Sequence, residues 1–229
     1  MEKRIEAFLK LAKLFQDNDK KLYLVGGTVR DYLMDNELSD MDAVTDATPD
    51  EMKVFLYELK TDFTFSKYGS IKIFFDDIKF DVTTLRKETT YSDARHPSDI
   101  VFVKSLEEDY VRRDFTINAM YLDSSLKLID YVGGKQDLEK HILRMVGDPE
   151  IRLAEDPLRI IRAIRFALTY NLEFDSQLKT AILNNISLLD KLNPDKVVQD
   201  LKKTGKHDKE KATKLFNEFS IKHLLDVID

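Results

Sequence analysis

Two aspartates in the first half of the chain have the spacing of ligands for a hard cation. Asp40 and Asp42 flank Met41 in the segment SDMDAVT. Alternate residues of an extended segment project to the same face, so both carboxylates could hold Mg²⁺ and leave room for phosphate oxygens. The Asp-x-Asp pattern is also common in turns, and on its own it is more often part of an ordinary loop.

A third carboxylate, Asp81, lies in the segment IKFDVTTL, where hydrophobic and polar residues alternate. This alternation predicts a strand with Asp81 on its polar face. A sheet could therefore bring Asp81 beside Asp40 and Asp42. Three carboxylates near a phosphate site would indicate two-metal phosphoryl or nucleotidyl transfer.

Two further segments carry residue types that suit phosphate groups. In LVGGTVRD, Gly26 and Gly27 join a predicted strand to a predicted helix, and Arg30 lies in the first turn of that helix. This is a candidate triphosphate cradle, although paired glycines at a tight turn are more often structural. In RRDFTINA, Arg113 and Asp114 could form a surface ion pair, or could hold sugar hydroxyls or a phosphate.

The segment EDPLRIIRAIRF predicts a helix with one aliphatic side. Its other side carries Asp156, Arg159, Arg162 and Arg165. A face exposed to water would explain this stripe. The alternative is base recognition, because an Asp acceptor beside an Arg donor matches the edges of cytosine and adenine, whereas uracil and guanine would turn a carbonyl oxygen toward the carboxylate.

The elements that must position these residues divide the chain into a mixed first part and a helical second part. Hydrophobic periodicity predicts, in chain order, helix 2–16, strand 21–25, helix 28–34, strand 41–45, a helix from 49 to about 59, and strands over FTF, SIKIFF and IKFDVTTL. The polar stretch 86–99 is typical of a long, mobile loop. Ser105 and Glu108 predict a capping box for helix 105–113. From Glu150 onward the pattern is helical to the end.

Composition excludes several classes of protein. The chain has 229 residues, 43% of them hydrophobic and 34% charged, which is typical of one folded domain or one domain with a helical appendage. The absence of cysteine excludes disulfides, thiolate metal sites and cysteine nucleophiles, and favours the cytoplasm. The charged N-terminal segment is no signal peptide, and no apolar run approaches the roughly 20 residues of a membrane span. Because the net charge is −6, the molecule as a whole repels an anionic partner, and such a partner must bind at local groups of basic residues.

Five segments, taken in order, resemble the motifs of the bacterial and eukaryotic (class II) tRNA nucleotidyltransferases. These segments are GGTVRD, SDMDAVT, IKFDVTTLR, RRDFTINA and AEDPLRIIRAIRF. These are the CCA-adding enzymes, with the bacterial poly(A) polymerases as close relatives. The resemblance runs from about Lys21 to Tyr170, and YSDARHP resembles the family's flexible loop, which favours addition of the terminal A, alone or after CC. It implies an α+β fold, with a nucleotidyltransferase head of mixed β-sheet and flanking helices over 1–140 and an all-helical neck over 141–229.

The resemblance also implies roles for individual residues in the attack of a tRNA 3′-hydroxyl on the α-phosphate of CTP or ATP. The glycine turn and Arg30 would contact the triphosphate, Asp40 and Asp42 would bind Mg²⁺, and Asp81 would be the third carboxylate. Arg113 and Asp114 would contact the sugar and the phosphates. Asp156 and Arg159 would pair with the incoming base. Arg162 and Arg165 would support the phosphates or the base-reading pair.

Three alternatives to a CCA-adding or A-adding enzyme stay open from the sequence. A poly(A) polymerase would share the head and differ in product length. A haloacid-dehalogenase-type phosphatase would use Asp40 as nucleophile, although the residues before Asp40 are too polar for the buried strand that it needs. An RNA-binding module without activity would leave the carboxylates unexplained. Since residues 171–229 are only loosely family-like, a fragment, a reduced enzyme and an oligomer are all consistent with this chain.

Overall fold

The computed structural model describes residues 1–91 and 97–228. The chain divides into two compact units. The first unit is built from residues 1–90, 99–113 and 117–135, and the second mainly from residues 114–116 and 136–228. The expected α+β class, with a mixed sheet and flanking helices, is confirmed. The division into a head over 1–140 and a neck over 141–229 stays a prediction.

The strands lie mostly in the first unit. They are β1 (Leu22–Val25), β2 (Met41–Thr45), β3 (Lys60–Asp62), β4 (Ser70–Phe75), β5 (Ile78–Thr84), β6 (Arg86–Tyr91), β7 (Pro97–Phe102), β8 (Met120–Leu122), β9 (Leu128–Asp130), β10 (Ile142–Leu143) and β11 (Glu173–Phe174). A seven-stranded sheet has the order β3-β4-β5-β2-β1-β8-β9. In it β2 and β5 are parallel, whereas the other neighbours are antiparallel.

The helices flank this sheet or build the second unit. They are α1 (Glu2–Gln16), α2 (Gly27–Leu33), α3 (Pro49–Phe55), α4 (Leu106–Asp109), α5 (Gly134–Glu139), α6 (Pro149–Glu155), α7 (Leu158–Thr169), α8 (Ser176–Asn185), α9 (Pro194–Leu201) and α10 (Lys209–Glu218). In the second unit α6 packs against α8, and α7 packs against α9. None of the helices in the described part of the chain is long and apolar enough to cross a membrane.

Local periodicity predicts the sheet strands well where hydrophobic residues alternate with polar ones. In β5 the side chains of Ile78, Phe80 and Val82 are buried, and those between them are more exposed. The strands over SIKIFF and MDAVT are also confirmed. The core under these strands includes Tyr121 of β8, which has no exposed surface.

The expectation of a strand over FTF is wrong. The strand β3 ends at Asp62, whose Oδ1 accepts hydrogen bonds from the backbone N–H of Thr64 at 2.9 Å and from its hydroxyl at 2.6 Å. An aspartate that bonds the chain two residues on forms a turn that competes with a strand. Phe65 therefore lies in a turn, and a 3₁₀ helix follows it over Ser66–Tyr68.

Three other expectations need correction. The stretch 86–99 is not a continuous loop, because β6 and β7 pair in a two-stranded sheet; residues 92–96, with most of the expected flexible loop, lie outside the described residues. The capping box at Ser105 does not form, since the Ser105 hydroxyl accepts from the N–H of Glu107 and the Glu108 carboxylate pairs with Lys87. The second part is not all helical, because β11 pairs with β10.

Candidate active site

The central feature of the site is a row of side chains across neighbouring strands of the sheet. Asp42 of β2 lies directly opposite Asp81 of β5, and Asp81 lies opposite Lys72 of β4. Partners in register project to the same face of a sheet, so the two carboxylates are side by side. The parallel pairing of β2 with β5 therefore produces the proximity that the sequence predicted for Asp42 and Asp81.

The carboxylate of Asp42 is harder to ionise than a free carboxylate, first because it is buried and then because other carboxylates lie near it. Burial, together with the charges of Asp81 and Asp40, raises the pKa of Asp42 from 3.8 to about 6, although Arg113 and Lys79 partly offset this effect. A neighbouring carboxylate disfavours ionisation of the first one, and a bound divalent cation offsets this repulsion. The donor set of hard carboxylate oxygens therefore fits a cation such as Mg²⁺.

The expected trio is nevertheless not a preformed metal cluster. Over the described ranges, no group of three or more acidic or histidine side chains is arranged closely enough to hold a metal ion. Asp40 is exposed and precedes β2, and the Oδ2 of Asp81 pairs with the Nζ of Lys79 at 2.8 Å. The position of Asp40 also disfavours the phosphatase alternative, which needs this residue at the end of a buried strand.

The hydroxyl group of Thr28 links the turn at Gly26 and Gly27 to the segment that carries Asp40 and Asp42. The Oγ1 of Thr28 donates to the backbone carbonyl of Asp40 at 3.1 Å and accepts the N–H of Asp42 at 2.8 Å. Gly26 has a φ of +66°, a conformation that L side chains rarely adopt, so the turn into α2 requires glycine there. These bonds fix the turn and the aspartates relative to each other.

Gly27 and Arg30 have structural partners in the folded chain. The Nη1 of Arg30 donates to the Oδ1 of Asn118 at 2.7 Å, and its Nε and Nη2 donate to the Asp31 carboxylate. A Cβ on Gly27 would lie 3.3 Å from the Nη2 of Arg30, so glycine lets this buried guanidinium pack against the start of its own helix. Contact of Gly27 or Arg30 with a triphosphate stays a prediction.

Sequence reasoning missed Asp109, which holds the arginines of the site. It has no exposed surface, and its carboxylate accepts from the Nε of Arg112 at 2.8 Å, from the Nη2 of Arg113 at 2.8 Å and from the hydroxyl of Tyr121 at 2.9 Å. Burial alone would raise the pKa of Asp109, but the charges of Arg113 and Arg112 lower it well below its usual range. The helical spacing of three and four residues between Asp109 and the two arginines was the available signal.

These residues line one cleft of the first unit, with a volume of about 490 Å³. Asp42 and Asp81 lie in it together with Gly26, Arg112 and Arg113. On the β4 side the lining continues with Phe65, Tyr68, Ser70, Lys72, Thr83 and Arg86. The cleft combines carboxylates for a cation with guanidinium groups for phosphate, which is the residue set that nucleotidyl transfer needs.

The second unit brings together two other predicted site residues. The Asp114 carboxylate accepts from the Nε of Arg162 at 2.9 Å and also from its Nη2. The charge of Asp114 raises the pKa of Arg162. A paired arginine of this kind is held in a fixed orientation, which a solubilising surface charge is not.

The remaining residues of the predicted stripe do not all face water. Asp156 precedes α7, and its Oδ1 accepts the N–H of Leu158 at 3.1 Å. Arg159 is only 5% exposed, and its Nη1 donates to the carbonyl of Arg152 at 2.7 Å. The guanidinium carbon of Arg165 lies 4.4 Å from the ring centroid of Phe166. The explanation by solubility alone therefore fails for Arg159, although contact with a base stays a prediction.

The mixed sheet, the paired carboxylates and the neighbouring arginines are the features expected of a nucleotidyltransferase head. The chain belongs to the family of the poly A polymerase head domain, whose model matches residues 22–144. This family includes the class II tRNA nucleotidyltransferases, and the resemblance seen in the sequence motifs is thus confirmed. Among these proteins the chain is most like CCA-adding enzymes.

Individual relatives support this assignment. The CCA-adding enzyme of Staphylococcus epidermidis is 40% identical over 193 residues, which are 84% of this chain and 48% of the relative. The crystal structure of the Bacillus stearothermophilus CCA-adding enzyme in complex with CTP matches with a TM-score of 0.79 and 31% identity, over 87% of this chain and 48% of that one. The Thermotoga maritima CCA-adding enzyme complexed with tRNA_CCA matches with a TM-score of 0.73 and 26% identity, over 95% and 51%. The chain spans about half the length of the curated relatives it matches.

Proposed function

We propose that this chain adds nucleotides from CTP and ATP to the 3′ end of tRNA without a template, as CCA or as the terminal A. The observation that carries the proposal is the pairing of Asp42 with Asp81 in one cleft with Arg112 and Arg113. The names of the relatives supply the substrate classes, since they include CCA-adding enzymes with CTP and with tRNA.

The 3′-oxygen of the RNA forms a bond to the α-phosphorus of the nucleotide, and the bond from that phosphorus to the bridging oxygen breaks. Pyrophosphate leaves with the electron pair, and the hydroxyl proton passes to water. Mg²⁺ held by Asp40 and Asp42, with Asp81 beside them, would lower the pKa of the attacking hydroxyl and neutralise the leaving group.

The protein's own groups orient the triphosphate. Arg113, fixed by Asp109, directs a positive charge into the cleft, and Arg112 lines the same space. Gly26 has no side chain, and a Cβ there would come within 3.9 Å of the Nη1 of Arg113. Preorganised donors of this kind stabilise charge that develops during transfer without reorganising at the moment of reaction.

We assign recognition of the incoming base to Asp156 and Arg159, with Arg162 and Arg165 in support. The Asp114–Arg162 pair would hold the sugar or a phosphate. We also propose that residues 1–140 act as the catalytic head and residues 141–229 as a helical neck. The cytoplasm is the proposed location, because nothing in a chain without cysteine calls for an oxidising compartment.

The test is to offer tRNAs that end before, within and at CCA, with CTP and ATP singly and together, and to read product lengths. Addition of CCA to the bare end, or of A to an end in CC, is the expected result. Asp42→Ala should abolish addition while RNA binding persists. Near-normal addition by Asp42→Ala would refute the assignment of the carboxylates, and RNA binding without any addition by the wild type would favour a binding module.

Poly(A) addition is the second candidate, favoured by the name of the matching family model. A poly(A) polymerase has the same catalytic head and the same chemistry as a CCA-adding enzyme. The residues of the cleft therefore do not distinguish these two functions. Long runs of A on several unrelated RNAs would support this candidate. A product that stops after CCA would exclude it.

A further inference from the structure

One wall of the active-site cleft has no role in the catalysis proposed for Asp42, Asp81 and Arg113. The turn after β3 and the 3₁₀ helix over Ser66–Tyr68 place Phe65 and Tyr68 in the cleft lining. Phe65 is 52% exposed and Tyr68 is 37% exposed. Arg86 holds this turn in place, because its Nη1 donates to the backbone carbonyl of Tyr68 at 2.5 Å.

The two rings are accompanied by positive charge. The Nζ of Lys67 lies 4.7 Å from the ring centroid of Tyr68, and the Nζ of Lys72 lies 6.0 Å from that of Phe65. Exposed aromatic rings beside lysine and arginine form the usual surface for single-stranded nucleic acid, since bases stack on the rings and phosphates meet the cations. A single exposed aromatic residue would need no explanation, whereas two that line one charged cleft are candidates for an interaction site.

The strand order fixes where this wall lies relative to the carboxylates. The order β4-β5-β2-β1 places Asp81 and Asp42 between Lys72 on one flank and the glycine turn after β1 on the other. The aromatic turn leads directly into β4, and therefore belongs to the flank opposite Gly26. The two flanks of the cleft are thus separated by the reacting centre.

In-line transfer requires that the attacking and leaving oxygens lie on opposite sides of the α-phosphorus. The proposed function places the triphosphate, and hence the leaving pyrophosphate, at Gly26 and Arg113. The attacking 3′-hydroxyl must then approach from the β4 flank. We propose that Phe65 and Tyr68 form a stacking platform for the last bases of the RNA acceptor, with Lys72 and Arg86 beside its phosphates. This inference rests on the proposed function and adds the place of the acceptor.

The test uses Phe65→Ala and Tyr68→Ala, singly and together, in the full chain. Tyr57→Ala is the matched control, because Tyr57 is 77% exposed and does not line the cleft. The Kd of a short acceptor hairpin ending in CC is measured by fluorescence anisotropy without nucleotide, and KM is measured separately for the hairpin and for ATP. Both rings are exposed, so thermal unfolding midpoints should match that of the wild type.

Loss of one stacked base should weaken acceptor binding by about 5- to 150-fold, which corresponds to about 1–3 kcal/mol. The KM for ATP should change by less than about twofold, and Phe65→Trp should restore acceptor binding. Unchanged acceptor binding in the double variant would refute the platform. A rise in the KM for ATP alone would refute it too, and would assign the rings to the incoming base. If the wild type binds the hairpin but adds nothing, the proposed function fails, while the anisotropy comparison still decides the platform.

Discussion

At the scale of single residues, the ionised Asp42 carboxylate carries an electrostatic cost in the folded protein. Its pKa in the folded protein is raised from 3.8 to about 6, so the folded protein retains this proton more strongly than the unfolded chain does. The metal-free protein should therefore lose stability as the pH rises through this window. Above it, the ionised carboxylate opposes folding until a cation compensates the charge.

We expect Asp42→Asn to stabilise the metal-free protein at about pH 8, by on the order of 1–3 kcal/mol, because the amide carries no charge. Mg²⁺ should raise the unfolding midpoint of the wild type and have little effect on the variant. Thermal unfolding with EDTA and with excess Mg²⁺ measures both effects. Asp226→Asn, which removes an exposed carboxylate of the second unit, is the control. An equal Mg²⁺ shift in wild type and Asp42→Asn would exclude Asp42 as a ligand.

Asp156 offers a second test at this scale. Its replacement by alanine removes the acceptor that distinguishes an amino group from a carbonyl on the incoming base. The preference for CTP and ATP over UTP and GTP should fall by about 10-fold or more, as expected for a lost hydrogen bond to a charged group. Single-nucleotide incorporation with each of the four triphosphates measures it. An unchanged preference would place base selection elsewhere.

At the scale of elements, Thr48 and Glu51 form a capping box at the start of α3. The N–H of Thr48 donates to the Oε2 of Glu51 at 2.8 Å, and the N–H of Glu51 donates to the Oγ1 of Thr48 at 3.3 Å. The hydrogen bond from Lys20, followed by that from Thr48, lowers the pKa of Glu51 from 4.5 to about 2. Both partners favour the ionised form, so this carboxylate stabilises the folded state.

We expect Glu51→Ala to reduce the free energy of unfolding by about 1 kcal/mol at neutral pH, where the box is intact. The stabilisation is fully present above about pH 4.5 and is lost as the pH falls toward 2, since the folded-state pKa is depressed. Urea unfolding of both proteins at neutral and at acid pH measures the difference. A gap between them that stayed constant down to about pH 2 would contradict the role of the charged carboxylate.

The sequence was informative about elements wherever the signal is local. Alternation along β5 placed Asp81 on the polar face, and the burial pattern of that strand agrees. The register that sets Asp42 beside Asp81 joins residues far apart in the chain, and no local pattern encodes it. The error at FTF arose because aromatic residues favour strands, whereas the hydrogen bonds from Thr64 to Asp62 form a turn. That turn exposes Phe65, so the misassigned segment supplies the proposed platform.

At the scale of the whole molecule, the motif order identified the family, but the partners of the arginines required the structure. From the sequence, Arg113 was predicted to contact the ligand, and Asp109 was not identified as its partner. The burial of Asp109 depends on the residues packed around it, and these are known only from the structure. Likewise, Arg159 belongs to a polar stripe by periodicity and is buried in the folded chain. Periodicity describes one helix, whereas burial depends on what packs against it.

The net charge of −6 opposes the binding of RNA to the molecule. Its overall field repels a polyanion, so attraction must come from a few cations such as Lys72 of the cleft. We expect Lys72→Gln to reduce the slope of log K against log salt for the acceptor hairpin by about 0.7, the value for one lost phosphate contact on a single strand. Lys3→Gln, the same change of charge at an exposed position outside the cleft, should leave the slope unaltered. Equal slopes for all three proteins would mean that the acceptor phosphates bind elsewhere on the chain.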